Sequence, residues 1–123
     1  MEIILKGEPK STQSIYKATV RGHFPCVYMT KEGKDLKEYY QIQARIQHKA
    51  DPTPDPVEIE VKLYFGTKRK SDWDNFHKLS MDALTDVVWI DDSQIQKATV
   101  YKLYDRDNPR IEIKIDKYNE PAV

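Results

Sequence analysis

Val57-Glu58-Ile59-Glu60-Val61-Lys62-Leu63-Tyr64-Phe65 decides the fold, because apolar and polar residues alternate along it without a break. Period two means a strand with one buried face. From Asp74 the period changes, and Phe76, Leu79, Ala83, Leu84 and Val87 form an apolar helical stripe that predicts a helix ending near Val88. Ile95 to Tyr104 returns to a strand. Asp105-Arg106-Asp107-Asn108-Pro109 makes a turn, and Ile111, Ile113 and Ile115 alternate in a last strand before frayed residues from Lys117 to Val123. Upstream, three prolines within Asp51–Pro56 end a helix that Thr30 caps and that runs to about Lys49. Its inner face is read as Leu36, Tyr39, Tyr40, Gln43 and Ile46. Phe24–Met29 and Ile3–Lys6 read as short strands, and Gly7–Phe24, which holds Lys10, Lys17, Arg21 and His23, as a long loop. The order β-β-α-β-α-β-β predicts an α+β fold, a small mixed sheet with two helices packed on it, in a single domain over residues 1–123.

Composition narrows the function. The 123 residues carry a formal net charge of +0, which argues against a protein that coats nucleic acid unspecifically but allows a local basic groove. Cys26 is the single cysteine, so no intrachain disulfide forms, a cysteine-based zinc site is excluded, and a reduced thiol in a cytoplasmic protein is expected. No apolar run approaches the roughly 20 residues of a membrane span. Met1 to Lys6 is too short and too charged for a signal peptide, so no membrane partner is expected.

The chemistry gathers in Lys68-Arg69-Lys70-Ser71-Asp72-Trp73-Asp74-Asn75-Phe76-His77-Lys78 and in Trp89-Ile90-Asp91-Asp92-Ser93-Gln94. Asp72 and Asp74 point the same way in an extended segment. They are either a cation-binding pair or a helix cap beside a solvated loop residue. Lys78, one turn after Asp74, is either its ion-pair partner or a cation aimed at phosphate. Asp91-Asp92 is either a solvated turn or a further source of ligands. A helix start and a helix exit can meet if the following strand pairs beside the preceding one. Three carboxylates would then make a hard oxygen site for Mg²⁺ or Mn²⁺. Lys68, Arg69 and Lys70 stand beside the acidic pair, where they can steer a DNA backbone. Trp73 and Trp89 are read as packing residues before base-stacking ones.

With these residues in view, the chain resembles the RusA family of Holliday junction resolvases. The family pattern, Asp-x-Asp-Asn-x-x-Lys-x-x-x-Asp-Ala-Leu and then Asp-Asp-x-Gln, is met by Asp72, Asp74, Asn75, Lys78, Asp82, Ala83, Leu84, Asp91, Asp92 and Gln94. The resemblance implies a homodimer that binds four-way DNA junctions and cuts opposite strands with Mg²⁺ or Mn²⁺. It makes Asp72, Asp74 and Asp92 the metal ligands, Lys78 the catalytic lysine and Asp91 a supporting or turn residue. Asp82 is expected to be structural. Asp86-Val87-Val88 departs from a stretch where many relatives have a glycine or asparagine turn. The rival expectation is a DNA-binding or assembly module on the same fold that cuts nothing.

Overall fold

The computed structural model describes residues 1–68 and 76–120. In chain order these form β1 (Glu2–Lys6), α1 (Thr12–Ile15), β2 (Tyr16–Arg21), β3 (Phe24–Met29), α2 (Lys31–Gln47), β4 (Val57–Phe65), α3 (Lys78–Leu84), β5 (Ile95–Tyr104) and β6 (Arg110–Lys117). Four strands make one sheet in the order β1-β6-β4-β5, and β2 and β3 pair as a separate hairpin. β4 pairs antiparallel with β6 and parallel with β5, so the sheet is mixed. The α+β class and the mixed sheet are as read from the sequence.

β4 sits between two neighbours, and its odd-numbered residues are buried along its whole length. Ile3 and Leu5 of β1 and Ile111, Ile113 and Ile115 of β6 continue the same apolar face. The opposite face alternates charge across strands: Glu60 lies opposite Lys114 and Lys62 opposite Glu112. One face therefore receives the helices and the other meets water.

α2 packs through Gly33, Tyr40 and Ala44, with Leu36 against the core. Tyr39 and Ile46, read as inner-face residues, are instead exposed. The stripe turns toward small residues because backbone approaches there: a Cβ at Gly33 would collide with the Ile15 side chain and lie 3.0 Å from the Ile15 carbonyl oxygen. At the C-terminal half, Gln43 and Gln47 seal the β1 edge. Gln43 Oε1 accepts from the Lys6 N–H at 2.9 Å, and Gln47 pairs with both backbone groups of Ile4 at 2.7 Å.

The expected loop over Gly7–Phe24 is largely ordered structure. α1 and β2 occupy its second half, and β2 pairs with β3 from Tyr16↔Met29 to Arg21↔Phe24. Gly22, at φ +64°, makes the tight reversal between them. The pairing was hidden because alternation is weak in a hairpin that is mostly exposed and reaches the core only through Tyr16 and Met29. Thr30 does cap α2, accepting from the Gly33 N–H at 3.1 Å. α3 ends at Leu84, short of the expected Val88. Asp86 turns left-handed at φ 69°, and the N–H groups of Val87 and Val88 fold back onto the Leu84 carbonyl. Val87, Val88 and Trp89 are therefore buried through a turn rather than a helix.

Candidate active site

α3 carries Lys78 at its first position. Its ammonium lies 3.7 Å from Asp82 Oδ2, one turn on, and 5.1 Å from the centre of the Tyr16 ring. The Tyr16 hydroxyl donates to the same Asp82 oxygen at 2.7 Å. Burial first, then the hydrogen bond and charge of Asp82, pushes the Tyr16 phenol up, so it remains a proton donor. Asp82 thus holds the cation from one side and the hairpin strand β2 from the other. Lys78 pairs forward with Asp82; the partner expected from the sequence, Asp74, lies outside the described residues.

After α3 the chain turns at Asp86, crosses buried Trp89 and enters a short 3₁₀ turn, Asp92–Gln94, before β5. Trp89 donates its indole N–H to Thr85 Oγ1 at 3.2 Å, which settles it as a packing residue. Gln94 holds the acidic turn. Its Oε1 accepts from the N–H groups of Ile90 and Asp91, and its Nε2 donates to the carbonyls of Thr53 and Asp55, all at 2.8 Å. The proline-rich loop and the Asp91-Asp92 turn are therefore clamped by one side chain. Asp91 accepts from Ser93 Oγ at 2.9 Å. That bond and backbone donors lower its carboxyl below the ordinary range, consistent with a turn residue. Asp92 is exposed beside it.

Asp82, Asp86, Asp91 and Asp92 line one open cleft of about 340 Å³, with Lys37, Gln41 and Thr85 completing its wall. Four carboxylates give it the oxygen chemistry of a hard-cation site. Among the described residues, however, no three His, Cys, Asp or Glu side chains come close enough to hold an ion. Asp72 and Asp74 lie outside the described residues, as do Arg69, Lys70 and Trp73.

The expected meeting of helix start and exit turns on Asp72 and Asp74, which lie outside the described residues; the described residues fix only the strand ends. β5 does lie beside β4, but parallel to it. Val57 pairs with Ile95 at one end and Phe65 with Tyr104 at the other. A parallel crossover puts the end of one strand and the start of the next at opposite ends of the sheet, about 26 Å apart for nine residues. Lys68 stands at the far end, its ammonium 5.4 Å from the Tyr104 ring, while Asp92 precedes Ile95 at the near end. Lys68 and Asp92 are thus not gathered into one spot. α3 bridges part of the gap, and Lys78 reaches the cleft through Asp82. Sequence reasoning missed Tyr16, which carries no local signal, and gave Gln94 no role. The spacing of Gln94 three residues after Asp91 is that of a capping box and was the available signal.

Comparisons with known proteins bear on the family. Residues 6–116 match the family model described as Endodeoxyribonuclease RusA. Among curated proteins, the crossover junction endodeoxyribonuclease of Enterobacteria phage 82 is 36% identical over 61 residues, covering 49% of this chain and 51% of its own length. The proteins of the same name from Escherichia coli strain K12 and Shigella sonnei strain Ss046 are each 34% identical over a stretch of that size. The chain spans about half the length of the curated relatives it matches. With the family model covering nearly the whole chain and the motif residues on α3 and the following turn, the chain belongs to the RusA endodeoxyribonuclease family.

Proposed function

We propose that this chain is a structure-selective DNA endonuclease that resolves four-way (Holliday) junctions by paired, symmetric phosphodiester cuts in recombination and repair. The observation that carries the reading is the family match over residues 6–116, whose curated relatives are named crossover junction endodeoxyribonucleases. The geometry supports it: Lys78 and Asp92 flank the same Asp82-lined cleft. Asp72, Asp74 and Asp92 would hold Mg²⁺ or Mn²⁺, which activates water and stabilises the leaving oxygen when bound. Lys78 stabilises charge developing on the phosphate, with Asp82 and Tyr16 fixing its position. Lys68, Arg69 and Lys70 steer the backbone. Lys68, at the far end of the sheet, serves a flanking arm rather than the reacting phosphate.

A homodimer supplies the second cut, because the acidic motif occurs once and a junction has two-fold symmetry. The hairpin offers a surface for self-association: Val20, Phe24 and Val27 are 67%, 76% and 70% exposed. The test is cleavage of a synthetic four-way junction against linear duplex of equal arm length. Asp92→Asn should bind the junction and leave it uncut. Lys78→Ala should slow single-turnover cleavage at least tenfold, a barrier increase of about 1.4 kcal/mol or more. Full cleavage by Asp92→Asn in Mg²⁺ would remove it from the metal site. Binding without any cleavage by the parent chain would leave a DNA-binding module.

A further inference from the structure

α2 carries a cationic stripe that nothing above employs. Lys34, Lys37, Gln41 and Arg45 follow one another at three- and four-residue steps, so they share one helical face. That face opens into a groove of about 600 Å³ between α2 and Met29 at the end of β3. The groove is open rather than enclosed by apolar walls, and Ile42, also in its lining, is exposed. Among the described residues none of the three cations forms an ion pair; Glu38 is the one carboxylate in the lining. The groove is continuous with the acidic cleft, because Lys37 and Gln41 line both.

The stripe from Lys34 to Arg45 is about 16 Å long at helical rise. That length matches about five phosphates of one DNA strand by axial rise. The cleft itself repels phosphate through Asp82, Asp86, Asp91 and Asp92. A backbone drawn toward it must therefore be held by positive charge beside it, and α2 places that charge directly at its rim. Elsewhere the cations of the sheet's open face alternate with carboxylates and offer no such run.

We propose that Lys34, Lys37 and Arg45 form a phosphate-binding track for a duplex arm of DNA, leading the strand along α2 to the acidic cleft. This rests on the nuclease reading for what happens in the cleft, but its own measurement is binding. The probe is a fluorescein-labelled synthetic four-way junction, titrated with full-length chain at several salt concentrations without divalent metal. The triple variant Lys34→Gln, Lys37→Gln, Arg45→Gln should weaken binding at least tenfold. The slope of log affinity against log salt should become shallower by about 2 to 3, since each lost phosphate contact contributes about 0.9. A charge-matched control, Lys62→Gln, Lys97→Gln, Lys114→Gln on the open sheet face, should change affinity less than threefold. An unchanged slope in the α2 variant, equal weakening in both variants, or no binding of the junction by the parent chain would each overturn the track. Loss of binding in the α2 variant from a parent chain that binds but never cleaves would uphold the track and sink the nuclease reading. Cleavage by a parent chain whose α2 variant binds equally well would do the reverse.

Discussion

Replacing Gln94 by alanine tests the claim that one side chain holds the acidic turn in place. Alanine removes four hydrogen bonds of 2.8 Å, two accepted from Ile90 and Asp91 and two donated to Thr53 and Asp55. Each intramolecular hydrogen bond contributes about 1 kcal/mol net. Three of the four backbone partners meet solvent, and water replaces the lost bond there; the bond to Thr53 is partly buried. The expected loss is therefore about 2 kcal/mol rather than four. With an unfolding entropy of about 2.1 cal/mol/K per residue, that is a fall of about 8 °C in Tm for a chain of this size. Differential scanning calorimetry reads it directly. Gln94→Glu sharpens the argument, since it keeps an oxygen toward Ile90 and Asp91 but faces the Thr53 and Asp55 carbonyls with a second one. The carbonyls disfavour the charged form, so the deficit is present at neutral pH and shrinks as the carboxyl protonates on acidification. A Tm within 2 °C of the parent for the alanine variant would refute the clamp. So would a glutamate variant as stable as the parent at pH 7.

Gly33→Ala should destabilise the chain by about 1–3 kcal/mol, because overpacking against Ile15 and Met29 outweighs the helix propensity that alanine adds; an equal or higher urea midpoint would contradict the packing. Stability should also fall at both pH extremes. Asp91 and Asp105 are held below the ordinary carboxylate range, Asp91 first by Ser93 and Asp105 first by the Arg110 guanidinium, so their contribution is present above about pH 4 and lost as pH falls through the depressed values. Tyr40 is pushed up to about 12 by burial, and Tyr16 higher still, so the neutral phenols stabilise the fold fully below about pH 10 and less as pH rises through their folded values. Urea midpoints between pH 9 and 11 should fall less steeply in a Tyr16→Phe, Tyr40→Phe double variant than in the parent.

Much of the scaffold was legible in local pattern. β4 and β6 announced themselves by alternation, β5 by its place between the second helix and the turn at 105–109, and Thr30 by its position before an amphipathic run. Of the hairpin only β3 was read; β2 was not, because apart from Tyr16 it buries little against the core, and alternation records burial. The end of α3 was misplaced for the opposite reason. Val87 and Val88 are as apolar as a helical stripe requires, yet Asp86 reverses the backbone ahead of them, and an aspartate, unlike glycine, gives little warning of a left-handed turn.

The candidate site divides in the same way. Residue type and spacing marked Asp91-Asp92 and Lys78 as candidates, because oxygen ligands and a phosphate cation are properties of side chains and of distance along the chain; the resemblance to the family then singled out Asp92 and gave Lys78 its role. The tertiary structure decided which of them meet. Parallel pairing of β4 with β5 sent Lys68 to one end of the sheet and Asp92 to the other. Packing of β2 against α3 brought Tyr16 to Asp82 across 66 positions of sequence. Such contacts depend on strand direction and layer packing, which are fixed by the burial of the whole apolar face and not by any local run of residues.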